Sequence, residues 1–213
     1  MSWRLFEVLC EAAATTVLVS VASIALGLFL GLCICAFLLH SSPALQRIGR
    51  TYVSFFRGAP LLVQLLLLYN LLPEVNIDLP SAATAVLGLT LCTAAYQAEN
   101  LRAGFAAVPR GLIEAAEVTG FTPRQAFLRI RVPIAVKLTL PAIANESIMI
   151  LKASSLTSVV GMVELTETAK NLAASTFRPL EMYAGAGLLY LVLCWALAGV
   201  GRFGERLLAW ERR

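Results

Sequence analysis

Residues 114–133 read EAAEVTGFTPRQAFLRIRVP, a glycine-punctuated, moderately polar segment lying between two long apolar runs. Its first half, 111–119, predicts a short helix with Leu112, Ala115, Ala116 and Val118 available for an apolar stripe. Gly120 is placed to end that helix, because glycine takes the left-handed conformation without steric cost. Thr122 followed by Pro123 reads as a cap and a first helical residue, so a second helix starts in a new direction. That helix carries Ala126, Phe127 and Ile130 on one side, and Pro133 is expected to begin the next apolar run. Arg102, Arg110, Arg124, Arg129, Arg131 and Lys137 surround the segment, whose only acids are Glu114 and Glu117. Basic residues mark the cytoplasmic side of a membrane protein, so the pattern describes a bent knuckle on the inner face.

The rest of the chain fits that setting. Of its 213 residues 59% are hydrophobic and 14% charged, against ~25% charged in a soluble domain. It is therefore read as an all-α integral membrane protein forming one transmembrane domain over 1–213. The net charge of +4 resides in clusters that flank apolar runs, which excludes a nucleic-acid partner. Cys10, Cys33, Cys35, Cys92 and Cys194 include no CxxC pair, and His40 is the lone histidine. They are packing residues, and no metal site is expected.

A span needs roughly 20 apolar residues, and about five are expected, over 12–39, 56–73, 82–105, 134–156 and 183–201, with the knuckle in a loop at 109–133. Gly27 and Gly31 form a GxxxG in the first span, a spacing that permits close helix approach. The segment 40–57 carries Arg47, Arg50 and Arg57 without an acid and is read as a cytoplasmic loop. The N-terminus then lies outside, and Arg202, Arg206, Arg212 and Arg213 place the C-terminus inside. Residues 164–173, ELTETAKNLA, read as an amphipathic helix on the outer side, suited to docking a binding protein.

Polar residues inside spans are costly and point to partners or to a solute path. Gln64 is one such residue, either bonding a neighbouring helix or lining a path. Glu99 and Arg102 lie three apart and can pair, as a structural ion pair or as a gate touching the solute's charges. Pro141, Asn145, Glu146 and Lys152 interrupt the fourth span, which suggests a helix packed in protein or lining a wet cavity. Glu146 and Lys152, six apart, project from different faces. Lys152, Ser154 and Ser155 either line the path or cap the span's outer end.

Glu114, Ala115, Ala116, Gly120, Ile130 and Pro133 resemble the EAA loop of the permease subunits of bacterial ABC importers: Glu-Ala-Ala, three residues, Gly, nine residues, Ile, one residue, Leu-Pro. Val132 stands where leucine is usual, and Leu112 where glutamine is usual. FRGAPLLVQ at 56–64, AYQAENLR at 95–102 and LKASSL at 151–156 are similar to blocks of the polar amino-acid branch, the histidine, glutamine, arginine and opine permeases. The resemblance implies the type I importer fold in the bacterial inner membrane. It makes the EAA residues a coupling helix seated on a cytoplasmic ATPase dimer, beside a second permease subunit, identical or different, and a periplasmic solute-binding protein.

The chain carries no Walker A loop and no hydrolase motif. It is expected to be non-catalytic and to bind no cofactor itself, with ATP and magnesium held by the partner. The implied cargo is a polar amino acid, basic ones included, with Gln64, Tyr96, Glu99, Arg102, Lys152, Ser154 and Ser155 as candidate path residues. Two other classes stay open on the residues alone. One is an ion-driven secondary transporter with Glu99, Glu146 and Lys152 as a proton relay, and the other a membrane scaffold whose knuckle only docks a soluble partner.

Overall fold

The computed structural model describes residues 3–209. Its elements are helical throughout: α1 (Trp3–Leu39), α2 (Pro43–Gly58), α3 (Leu61–Glu74), α4 (Ser81–Ala106), α5 (Arg110–Val118), α6 (Pro123–Ala126), a π-helical turn (Phe127–Arg131), α7 (Val132–Ala153), a 3-10 segment (Ser154–Val160), α8 (Leu165–Thr176) and α9 (Pro179–Ala209). Arg212 and Arg213, part of the expected inner C-terminal cluster, lie outside the described residues.

Helix α4 is the axis, and its broadest contact is with α1. That contact depends on small residues. A Cβ on Gly31 would sit 2.9 Å from Gln97 Cβ and 3.1 Å from the Ala94 carbonyl oxygen, and one on Gly27 would collide with Thr93. The GxxxG pair is therefore the α1–α4 crossing itself, where close backbones gain dispersion contact that lipid-facing leucines would forfeit. On its other side α4 runs antiparallel to α7: Gly104 lies against Ala135 and Thr139, while Ser81, at the far end of α4, approaches Gly161 beyond α7.

The core is distributed along α1. Near its start Leu9, Ala12 and Ala13 pack with Leu165, Ala169 and Ala186. Midway Val19 meets Leu65, Leu89 and Ile150, and near its end Ile34 and Cys35 meet Val53, Ala98 and Leu101.

Several boundaries differ from expectation. The first helix begins at Trp3 instead of residue 12, because Leu9 is buried against α8 and α9. The 40–57 segment is not a loop; α2 occupies most of it, with Val53 buried and Arg47, Arg50 and Arg57 exposed. The expected 56–73 span is two helices bent by 104°. Pro60 is the reason: it holds Ala59 in extended backbone, at φ −88° and ψ 139°, as the residue before proline requires. The fourth helix leaves α geometry at Ser154, and the last extends beyond 183–201 at both ends.

Among the described residues three helical stretches are long and apolar enough to cross a membrane: Trp3–Leu39, Pro123–Val160 and Pro179–Leu207, with a fourth if the bent α2–α3 pair is one span. Helix α4 is long enough at 26 residues, about 39 Å at 1.5 Å per residue. It misses on apolarity because it is sheathed in protein and carries Thr84, Thr90, Thr93 and Gln97 among its buried residues.

Candidate functional site

The 109–133 segment forms the knuckle. Helix α5 ends in a Schellman turn: Gly120 N–H donates to the Glu117 carbonyl (3.0 Å) and Phe121 N–H to that of Ala116 (3.0 Å). Gly120 has φ +84°, a region open to glycine and strained for other residues. Two residues later a reciprocal capping box begins. Gln125 N–H donates to Thr122 Oγ1 (3.3 Å), and Thr122 N–H donates to Gln125 Oε1 (2.9 Å).

Pro133 does not begin a new element. Helix α6, the π turn and α7 form one continuous run from Pro123 to Val160. Proline lacks an N–H and cannot serve an ordinary helical ladder. Just before it, Val132 N–H reaches back five residues to the Phe127 carbonyl. The knuckle thus has a single bend, at Gly120, and its second arm is the end of a long rod.

That arm is fastened to α4. Phe127 stacks on Phe105 with centroids 5.8 Å apart, and the Arg131 guanidinium lies 5.9 Å from the same ring. Ala126 is buried, Ile130 half-buried and Pro133 exposed. The free arm, α5, buries only Ala116. Glu114 and Ala115 face solvent, as do Leu112 and Val118, the latter 89% exposed. An apolar stripe left uncovered on a short helix beside an exposed glutamate is the composition of a docking surface.

The candidate path residues are not gathered into one place. Gln64, buried, donates through Nε2 to the carbonyls of Phe56 (2.9 Å) and Ala59 (2.8 Å), tying the end of α2 across the break. Glu99 and Arg102 form a bidentate pair at 3.0 and 2.5 Å. They line a cavity of about 530 Å³ together with Arg50, Arg57 and Arg131, and the Arg57 guanidinium lies 5.1 Å from the Tyr96 ring centroid. Lys152, Ser154 and Ser155 are elsewhere. Lys152 is thirteen residues beyond Thr139 on α7, roughly 20 Å along the helix. Ser154 is 1% exposed and donates to the Leu151 carbonyl (2.8 Å), and Ser155 donates to that of Lys152 (2.8 Å). A buried hydroxyl bonded to its own helix does not face a path.

A polar seam that sequence reasoning passed over lies between α1 and α4. Ser23, Thr90, Thr93 and Gln97 are buried there, and neither amide atom of Gln97 has a hydrogen-bond partner. Glu146 of α7, half-buried, approaches Thr93 without closing a hydrogen bond of normal geometry. The readable signal was the spacing of Thr90, Thr93 and Gln97, three and four apart on one helical face.

Glu164, expected on an outer amphipathic helix, is 1% exposed and caps α8 instead. It accepts from the N–H of Thr166 (2.8 Å) and Glu167 (3.0 Å) and from the Tyr190 hydroxyl (2.8 Å). Burial pushes its carboxyl above the usual range, and these bonds offset part of that rise.

Known proteins share this architecture. Residues 23–208 match the family described as binding-protein-dependent transport system inner membrane component. A probable amino-acid ABC transporter permease, PatM of Vibrio harveyi, is 34% identical over 88% of this chain and 85% of its own length. The octopine transport system permease OccM of Rhizobium radiobacter is 33% identical over 99% and 90%. A chain in the crystal structure of an amino acid ABC transporter with histidines superimposes with TM-score 0.89 at 32% identity, covering 94% of each chain. The MetNI methionine transporter in an inward-facing conformation shares the fold at TM-score 0.82 and 22% identity.

Proposed function

This chain belongs to the family of binding-protein-dependent transport system inner membrane components, and from that premise we propose how it works as the permease subunit of an ABC importer: it passes a polar amino acid into the cytoplasm on work received through the knuckle. Membership in this family removes the ion-driven and scaffold readings. The relatives named above carry amino acids or opines by their descriptions, which supports an amino-acid cargo, and a basic one is the sharper reading. The partners are a cytoplasmic ATPase dimer, a second permease subunit, identical or different, and a periplasmic binding protein. ATP and magnesium belong to the ATPase. Five spans fit if α4 counts as one, with the N-terminus outside and the C-terminus inside by the arginine distribution.

One observation carries the mechanism: an exposed α5 joined at a single left-handed glycine to a rod running unbroken from Pro123 to Val160. Closure of the ATPase dimer displaces the groove in which Glu114, Ala115 and Ala116 sit. The displacement cannot dissipate in a flexible linker, because the Schellman turn and the capping box fix both sides of Gly120. It reaches α7, and through the Phe105–Phe127 stack α4, as rigid-body rocking. Glu99 is offered as a contact for a cationic group of the solute once Arg102 swings aside.

Glu114→Lys tests this reading. Its side chain makes no hydrogen bond or ion pair within the described chain, so the fold should be indifferent and abundance unchanged. Solute uptake and solute-stimulated ATP hydrolysis in the reconstituted complex should both be lost; wild-type uptake at wild-type abundance would remove the coupling role. Glu99→Gln should weaken stimulation by basic amino acids, and unchanged stimulation would take Glu99 out of the path.

A further inference from the structure

The cavity at the inner end of the bundle holds more positive charge than ion pairing explains. Four elements converge on it: the end of α1 with Leu38 and Leu39, α2 with Arg50, Val53, Ser54 and Arg57, α4 with Glu99, Arg102 and Ala106, and the π turn with Arg131. Four arginines face one glutamate, and that glutamate is held bidentately by Arg102. Among the described residues, the other three have no carboxylate within ion-pair distance. Their hydrogen-bond and ring contacts are neutral: Arg50 donates to Gln46 Oε1 (3.0 Å), Arg57 lies over Tyr96, and Arg131 lies over Phe105, with Glu99 and Glu146 acting on Arg57 only at longer range. Aromatic faces orient a guanidinium while leaving its N–H fork free.

We propose that this cavity is a binding site for a phosphate group, with Arg50, Arg57 and Arg131 as its donors. Guanidinium forks match phosphate oxygens in pairs, and such charge-assisted bonds are about twice as strong as neutral ones. Three arginines from two separate elements around one space can meet a single tetrahedral anion, whereas a planar carboxylate offers only two oxygens. Leu38, Leu39, Val53 and Ala106 give the same cavity an apolar wall, suited to the glycerol and first methylenes of a lipid. Basic pockets between helices on the cytoplasmic side are where anionic headgroups bind. The phosphate of an anionic phospholipid and free inorganic phosphate share this chemistry, and the wall favours the former. Occupancy would brace α2 against the π turn, so a lipid here adjusts the stiffness of the rod. The inference does not depend on which solute is carried.

The experiment uses the chain purified with the subunits that accompany it. Binding of a radiolabelled short-chain phosphatidylglycerol is measured in phosphatidylcholine nanodiscs, with inorganic phosphate as competitor and chloride at matched ionic strength as control. Saturable binding is expected, weakened roughly tenfold by Arg57→Gln or Arg131→Gln and to a smaller degree by Arg57→Lys, which keeps the charge and loses the fork. Arg50→Gln, at an exposed position bonded only to Gln46, repeats the test should either of the other two variants unfold. Competition by inorganic phosphate at similar concentration assigns the site to the phosphate group alone, and competition only by lipid assigns it to a headgroup; either supports the site. Binding unchanged in all three glutamine variants, or equal displacement by chloride, would overturn it.

Discussion

The knuckle and the α1–α4 crossing are built by opposite means. At the knuckle each turn is fixed by residues close in sequence: Gly120 at φ +84°, and Thr122 closing a cap with Gln125 three positions on. At the crossing nothing local acts. Gly27 and Gly31 matter because Thr93 and Gln97, more than sixty residues away in the chain, come to lie against them. The first region keeps its shape while presenting an uncovered face. The second gives up all exposure and leaves Gln97 without a hydrogen-bond partner.

The largest effect should come from filling the crossing. Gly31→Leu puts a side chain where a Cβ alone would stand 2.9 Å from Gln97 and 3.1 Å from backbone oxygen, costing roughly 3 kcal/mol or more. Membrane abundance and the detergent melting temperature should both collapse, and a well-folded Gly31→Leu protein would show that α1 and α4 are not so close. At the knuckle, Gly120→Val meets no atom within 4 Å, so its cost is backbone strain alone, ~1–2 kcal/mol. Abundance should hold while uptake falls severalfold; uptake and abundance falling together would make Gly120 merely structural.

Gln97→Leu separates the two regions by sign. Replacing a buried, unpartnered amide removes a desolvation penalty of ~1–3 kcal/mol, so the melting temperature should rise while uptake drops. A fall in stability would mean that the amide has a partner in the assembled transporter. Thr122→Ala should cost ~1 kcal/mol by opening the capping box, seen as faster amide exchange confined to α6.

The smallest effect concerns Glu164. Its folded pKa is raised, so the folded state holds the proton more tightly than the unfolded chain, whose value is near ~4.3. Stability from this group is complete below that value and declines as pH rises from there through the folded pKa. Glu164→Gln should flatten that part of the melting profile, and an unchanged slope would place the titration elsewhere.

Much of this was legible in the sequence, for reasons that divide as the two regions do. Gly120, the Thr122 cap and the EAA spacing were readable because turn chemistry is local. The break at Ala59–Pro60 was written just as locally, yet FRGAPLLVQLLLLYNLLP looked like one span because apolar composition masks a proline until the bend is seen. At Pro133 the sequence marks the start of an apolar run but not that a π turn carries the helix through it. Glu164 looked like surface because charge in an amphipathic pattern usually is, and its capping role exists only once α8 and Tyr190 meet.

Composition and spacing alone determined that this is a helical membrane protein with a bent knuckle flanked by basic residues, since hydropathy and turn preference are properties of short stretches. Only the tertiary structure decided which polar residues are neighbours. Arg50, Arg57, Arg102 and Arg131 look like scattered orientation marks until three elements bring them around one cavity. The candidate path residues look like one set until α7 carries Lys152 far from Glu99. Side-chain proximity across helices depends on packing angles and small-residue contacts, and these are fixed jointly by distant parts of the chain.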